Sequence, residues 1–332
     1  MTLKIIFKRI GISLVTVLMA VLLTFNLLRM MPGSAIDGMA RDLASKQNLP
    51  LADAYDKVAR MINNNPHEPI LNQLSIYLNG LVHGNLGTSM MYQNITVNQI
   101  VAKALPWTIF VLSISLAISF IIGVNLGAIM AWKRKTLLEP IISIFSIITS
   151  AIPAFIIAVL LLVIFSFQLG WFPYNGAYDS SVTVGFNLKF ILSALYHAAL
   201  PILTYVVTSI GGWALTMKGS AVNVLGEDYV NAAFIRGVSD KNIMKNYVKK
   251  NAMLPLITSL AMSFGFMLGG SALIENTFAY PGMGYYIGQA TNQRDFTLMQ
   301  GLLLVTAMAV IIANLIADLV YCKLDPRVNI EE

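Results

Sequence analysis

The sequence predicts an all-α polytopic membrane protein with six transmembrane helices and both termini in the cytoplasm. Three observations predict it. The 332 residues are 57% hydrophobic and 11% charged, about half the charge usual in a soluble domain. Six apolar runs, near 10–28, 106–132, 140–167, 190–217, 254–274 and 299–322, are long enough to cross a bilayer, which takes roughly 20 residues. The basic residues between those runs fall on alternate sides of the membrane.

The first run is preceded by Lys4, Lys8 and Arg9. A cleaved signal peptide ending near Gly33, Ser34 and Ala35 is the competing reading, but the apolar stretch is longer than a signal core. Retention as a first helix, within an N-terminal segment 1–31, is the expectation. A long external loop, 32–105, follows. Its residues 51–62 carry apolar side chains at helical spacing, and a second helix is expected over 70–81. This loop is either an amphipathic cap or a docking surface for an external partner. The glycine-rich run 80–89 turns the chain back to the membrane.

The remaining residues, 106–332, form a five-helix core. Lys133, Arg134 and Lys135 fill the second loop, and Lys218, Arg236, Lys241, Lys245, Lys249 and Lys250 the fourth. The third and fifth loops carry only Lys189 and Arg294, while Lys323 and Arg327 follow the last run. By the positive-inside rule the second and fourth loops and both termini are cytoplasmic. The net charge of +6 then calls for no nucleic acid, and membrane lipid is the surrounding partner. Gly123 with Gly127, and Gly265 with Gly269, let helix backbones approach closely; they mark fixed packing or a moving seam.

The fourth loop, 218–255, patterns as two short helices around a break. Glu227 and Asp228 stand where a helix dipole favours negative charge. Gly237 ends the first helix, and Ser239 and Asp240 offer caps for the next. Lys241, Lys245 and Lys249 repeat every fourth residue as one basic stripe. Pro255 marks the return to the membrane. Such a pair either docks into another protein or lies as a basic hairpin on anionic lipid.

Phe278, Tyr280, Tyr285 and Tyr286 surround Pro281 and Gly282 in the fifth loop. They form an interfacial aromatic belt or a rigid outer turn. Polar residues inside the runs are few: Asn26, Asn125, Glu275, Asn314 and Asp318. No relay of central carboxylates is present, and the six runs look unbroken, which argues against an ion-coupled carrier. No catalytic site is expected. His67 and Glu68 open like a zinc-protease motif, but Leu71 stands at the second histidine position, and no phosphate-binding glycine loop occurs. Cys322, the single cysteine, excludes an internal disulfide and offers no metal site.

The fourth loop resembles the EAA motif of permease subunits in ATP-binding-cassette importers. Asn231, Ala232 and Ala233, three further residues including Arg236, then Gly237, and later Leu254 and Pro255 match it. Asn231 replaces the family's glutamate. The long separation of Gly237 from Pro255, with Tyr229 and Val230, resembles the oligopeptide, dipeptide and nickel branch. So do Met31, Pro32 and Gly33, the run 84–89, the run 277–284 with Gly284, Arg294 with Asp295, and the tail 324–327.

The resemblance implies a type I importer permease fold, in a multi-pass protein of a bacterial plasma membrane. It implies no enzyme activity and no cofactor on this chain, with ATP and Mg held by two partner ATPase subunits. The other partners implied are a second homologous permease, an extracytoplasmic binding protein and a peptide substrate. Glu227, Asp228, Tyr229, Asn231, Ala232, Ala233, Arg236, Gly237 and Pro255 would contact the ATPase, with Ala232 and Ala233 on a face fitted to a groove. Phe278, Tyr280, Pro281, Gly282, Gly284, Arg294 and Asp295 would form the receptor face or outer gate. A permease for a nickel chelate or another small solute remains open, as do an ion-coupled carrier and a non-transporting sensor. A carrier would take up solute without ATPases, and a sensor would move none.

Overall fold

The computed structural model describes residues 3–30, 35–62, 69–92, 95–270 and 272–324. Met31, Pro32, Gly33, His67 and the tail from residue 325 lie outside these residues, as do the side chains of Asp318 and Cys322. Among the described residues the fold is helical, with one isolated antiparallel bridge between Thr88 and Thr96.

Helix α1 (Leu3–Met30) is the first span. The external loop holds α2 (Ala35–Gln47), α3 (Leu51–Ile62) and α4 (Ile70–Val82). The sequence announced α3 and α4 but not α2, whose glycine and mixed charges mask its apolar face. Ala54 and Val58, one turn apart on α3, bury against Ala40 of α2 and Met90. Tyr77 of α4 stacks on the buried Phe25 of α1, with ring centroids 5.9 Å apart, so the loop is seated on the first span.

Helices α5 (Val97–Trp132) and α8 (Leu188–Leu225) are the long central pair. Both run past the expected span ends and contain a proline, Pro106 and Pro201. Helix α5 begins nine residues before Pro106 because Thr96 caps it. The Thr96 hydroxyl accepts from the Gln99 amide at 3.3 Å, and the Gln99 side chain accepts from the Thr96 amide at 3.1 Å, a reciprocal box that secures the first turn.

The third span is not the continuous helix expected. Helix α6 (Leu138–Ala151) and α7 (Ala154–Gln168) meet at 95° across Ile152 and Pro153. The proline ring forces the preceding residue out of helical conformation, and Ile152 is extended (φ −79°, ψ 125°). Helix α7 ends in a π-helical turn over Leu162–Gln168.

Beyond α8 come α9 (Asp228–Ile235) and α10 (Asp240–Ala252), then α11 (Leu254–Gly270), α12 (Ala272–Thr277), α13 (Met283–Gln293) and α14 (Phe296–Leu324). Among the described residues four of these helices are long and apolar enough to span alone, and the number rises to as many as six if α6 with α7, and α10 with α11, are each counted as one bent span. The cytoplasmic end gathers the end of α5, the start of α6 and α9–α10. The outer end gathers the starts of α5 and α14 with α12–α13.

Glycine sets the closest contacts. A Cβ on Gly123 would clash with Trp213 of α8 and come 2.8 Å from the Ile210 carbonyl, and one on Gly127 would lie 2.6 Å from Met217 Cβ. Gly211 of α8 does the same against Ser146, Thr149 and Ser150 of α6, a contact the sequence did not signal. Gly265 meets Val310 and Ala313 of α14 at 3.3–3.4 Å, while Gly269 lies one turn further along α11.

Candidate functional site

Three groups of residues compose the candidate site: the cytoplasmic helix pair, an outer carboxylate knot, and a clasp between the first loop and α14.

At the cytoplasmic end, Glu227 adopts extended geometry and accepts from Val230 and Asn231 amides at 3.0 and 3.3 Å, starting α9. The helix ends in a left-handed cap. Val238 N–H donates to the Ala233 carbonyl at 3.1 Å and Gly237 N–H to the Phe234 carbonyl at 3.0 Å, with Gly237 at φ +72°. Two orphan carbonyls are satisfied this way, at a backbone position where a Cβ is costly. Ser239 stands at the start of α10 but makes no side-chain cap bond.

The helix pair is built into the core. Val230 and Ala233 of α9 bury with Ile243, Val248 and Ala252 of α10 against Met217, Ala221, Ala128 and Ala131. Ala233 therefore faces this chain's own interior, not a partner's groove, because it shares the inward helix face with Val230 three residues earlier. The outward face is Asp228, Asn231 and Ile235, all exposed, with Ile235 87% exposed. Sequence reasoning passed over Ile235, although a bare isoleucine at the end of a helix start rich in charge is a legible signal. Tyr229 is exposed, Ala232 is half-buried, and Arg236 is exposed beside the turn. Phe234 stacks on Trp132 of α5 at 6.2 Å.

The lysine stripe does not run straight. A π-helical stretch over Ile243–Lys249 changes the phase, so Lys241 and Lys245 are exposed while Lys249 turns back to donate to Asn125 Oδ1 of α5 at 2.7 Å. Pro255 lies in the first turn of α11, where its missing N–H forfeits no helical bond.

At the outer end, Glu275 is buried at the end of α12. Thr108 Oγ1 of α5 donates to Glu275 Oε1 at 2.8 Å and accepts from the Met283 amide at 2.8 Å. The Tyr285 amide donates to Glu275 Oε2 at 3.2 Å. Gly282 leaves the room this knot needs, since a Cβ there would clash with both Thr108 Oγ1 and the carboxylate. Ala279 holds a left-handed conformation (φ 42°) and closes α12, with Tyr280 N–H donating to the Glu275 carbonyl at 2.8 Å.

The aromatics here are core, not a membrane-surface belt. Phe278 and Tyr280 are buried in the outer hydrophobic cluster, and Trp107 packs edge-on against Tyr280 at 6.0 Å and flat on Tyr178 at 5.8 Å. Burial, with the Glu275 carboxylate nearby, pushes the Tyr280 hydroxyl well above its ordinary pKa. Tyr285 and Tyr286 are half-buried and pack edge to face.

The third group joins segments about two hundred residues apart. Asp295 is fully buried at the start of α14. Its Oδ2 accepts from Ser89 Oγ at 2.6 Å and the Met91 amide at 2.9 Å, and its Oδ1 accepts from the Leu298 amide at 2.9 Å. Gly87, at φ +92°, sits where a Cβ would come 2.7 Å from Thr297. Of the residues expected at the receptor face, Phe278, Tyr280, Gly282, Gly284 and Asp295 are thus buried, Pro281 is half-buried, and Arg294 is exposed.

Of the polar residues inside the spans, Asn26 donates to the Leu22 carbonyl at 2.8 Å. Asn314 Oδ1 is buried with no partner among the described residues. No cluster of three metal-ligating side chains occurs among the described residues.

Residues 123–330 match the family described as the binding-protein-dependent transport system inner membrane component. The chain is 29% identical over 327 residues to the oligopeptide transport system permease protein OppB of Haemophilus influenzae, covering 98% of this chain and 99% of that one. It is 26% identical over 324 residues to the oligopeptide transport system permease protein AppB of Bacillus subtilis, covering 98% of each. Among solved structures it resembles the inward-facing MetNI methionine ABC transporter, with a TM-score of 0.55 and 16% identity over 68% of this chain and 96% of that one.

Proposed function

The chain belongs to the binding-protein-dependent transport system inner membrane component family, and from that premise we infer that it is the transmembrane permease subunit of an ATP-driven peptide importer in a bacterial plasma membrane. The peptide assignment rests on the oligopeptide permeases that it resembles along nearly its whole length. A second permease, two ATPase subunits holding ATP and Mg, and an extracytoplasmic binding protein complete the machine.

The observation that carries this reading is the construction of α9 and α10. One face is locked into the core formed with α5 and α8, and the other presents Asp228, Asn231 and Ile235 to the cytoplasm. A helix pair that is rigid on one side and bare on the other transmits a push between a soluble partner and the membrane bundle. ATP binding by that partner can shift the bundle only through a contact that differs between its two states, and this face supplies one. Glu227, Tyr229 and Arg236 border it, and Gly237 fixes the angle to α10.

The division of labour follows. Residues 1–31 hold the first span, 32–105 form the outer cap and lead into α5, and 106–332 form the permease core; within the loop 218–255 the residues up to Leu225 complete α8, and α9 and α10 are the coupling helices. The outer turn from Phe278 to Gly284 and the Asp295 clasp act as scaffold, leaving Arg294 and the cap helices for the binding protein. Purification of the assembled complex with its ATPases, followed by peptide uptake into proteoliposomes, tests the reading. ATP-dependent uptake of a mixed peptide pool is expected; uptake of a nickel chelate in place of peptides selects the alternative substrate.

A further inference from the structure

One charged pair lies outside the three groups above. Lys218, two turns before the end of α8, forms an ion pair with Glu139 in the first turn of α6. Ser143, one turn further along α6, donates to Glu139 Oε1 at 2.8 Å and accepts from Lys218 Nζ at 3.1 Å. Its hydroxyl also lies 3.5 Å from Met130 Sδ of α5. The two charged side chains are 31% and 20% exposed, so the knot is partly screened from solvent at the cytoplasmic end of the bundle.

The same seam continues inward. Glu139, Ser143, Ser146 and Ser150 share one face of α6 at helical spacing, and Gly211, two turns before Lys218 on α8, meets Ser146, Thr149 and Ser150. The opposite face of α6 is bare and apolar, with Ile141, Ile144, Ile147 and Ile148 all more than half exposed. Helix α6 is also a half-span, ended by the 95° turn at Pro153 and preceded by the loop of Lys133, Arg134 and Lys135. Its attachment to the lever side of the bundle is therefore this seam. The Gly211 contact is non-directional packing, which tolerates sliding. A hydrogen-bonded ion pair has one register, and specifying register is the best-attested use of such pairs.

We propose that Glu139 and Lys218 are positioning residues that make α6 follow α8 when the cytoplasmic helix pair is moved. This rests on the importer reading above. Lys218 sits ten residues before Asp228, where α9 begins, so displacement of α9 reaches it across the two-residue turn of Gly226 and Glu227 and then along two turns of α8. The pair then carries the displacement across the seam to the half-span α6.

The experiment uses the full complex with its partner permease, ATPases and binding protein in proteoliposomes. It compares Glu139→Gln, Lys218→Gln and the swap Glu139→Lys with Lys218→Glu. Assembly and basal ATP hydrolysis are expected to stay within about twofold of wild type, while peptide taken up per ATP falls on the order of tenfold in each single variant, within the range of measured coupling effects. The swap is expected to regain most of the loss. Wild-type uptake per ATP in both single variants overturns the proposal, as does a swap no better than the singles.

A second measurement serves if a single variant assembles poorly. A short cross-link joining Glu139→Cys to Lys218→Cys, in a Cys322→Ser background, is expected to preserve uptake, because the two helices already move together. Uptake lost on cross-linking and restored by reversing it overturns the proposal. A wild-type complex without ATP-driven uptake refutes the importer reading itself and is distinguishable from both results.

Discussion

Thr108 and Glu275 meet at the outer end of the bundle, 167 residues apart in sequence, with the threonine hydroxyl donating to the carboxylate at 2.8 Å. The contact joins α5 to α12, and Gly282, in the turn after α12, fits beneath it with no room for a Cβ. Gly282→Ala should therefore strain the turn by about 1–3 kcal/mol, the usual cost of overpacking. The melting temperature of the purified chain in detergent should drop, while Gly212→Ala, where nothing lies within 4 Å, should leave it unchanged or slightly raised.

Asp295 gives a second prediction. It accepts three hydrogen bonds while fully buried, and bonds to a charged acceptor contribute about 1.5–3 kcal/mol each. Asp295→Ala should destabilise the chain by several times the effect of Asp179→Ala, an exposed loop carboxylate. Limited proteolysis should then cut between residues 84 and 96 at low protease, because the clasp that holds this segment to α14 is gone.

The all-helical class and the apolar spans were legible in the sequence because hydropathy reports them directly. The break inside the third span was not. Pro153 lies in an apolar run, as Pro106 and Pro201 do, yet those two remain inside continuous helices. The difference is set by packing and not by the local run. The two helices of the fourth loop were legible through Gly237, which stands at the turn between them, but not the face that each alanine presents. Burial of Ala233 follows from where Val230 meets α8, a tertiary fact. Ser89 with Asp295 and Glu139 with Lys218 have no local signature, since each pair joins distant segments whose members look like ordinary loop charges or turn residues.

Gly237 gives a third prediction. Its left-handed backbone (φ +72°) has nothing within 4 Å of the Cβ position, so the penalty of a side chain is conformational and not steric. Gly237→Ala should cost about 1–2 kcal/mol, and Gly237→Asn less, because asparagine tolerates that conformation. ATPase co-purification should follow the same order: glycine, then asparagine, then alanine.

Ala279 offers the converse. It occupies a left-handed cap (φ 42°) without being glycine, so Ala279→Gly should relieve about 1 kcal/mol and raise the melting temperature. No gain in stability would mean that a contact of the alanine methyl offsets the strain.

The central claim is that this bundle, which carries no recognisable energy-converting motif, is driven through the exposed face of α9. The most direct measurement is recovery of the ATPase subunits with membrane-inserted Ile235→Asp, compared with Phe186→Asp, an equally bare apolar residue in the loop before α8, as a control for general damage. The account predicts that Ile235→Asp inserts normally, keeps the partner permease, and loses the ATPases and ATP-dependent uptake together. Full ATPase recovery and full uptake by Ile235→Asp would contradict it.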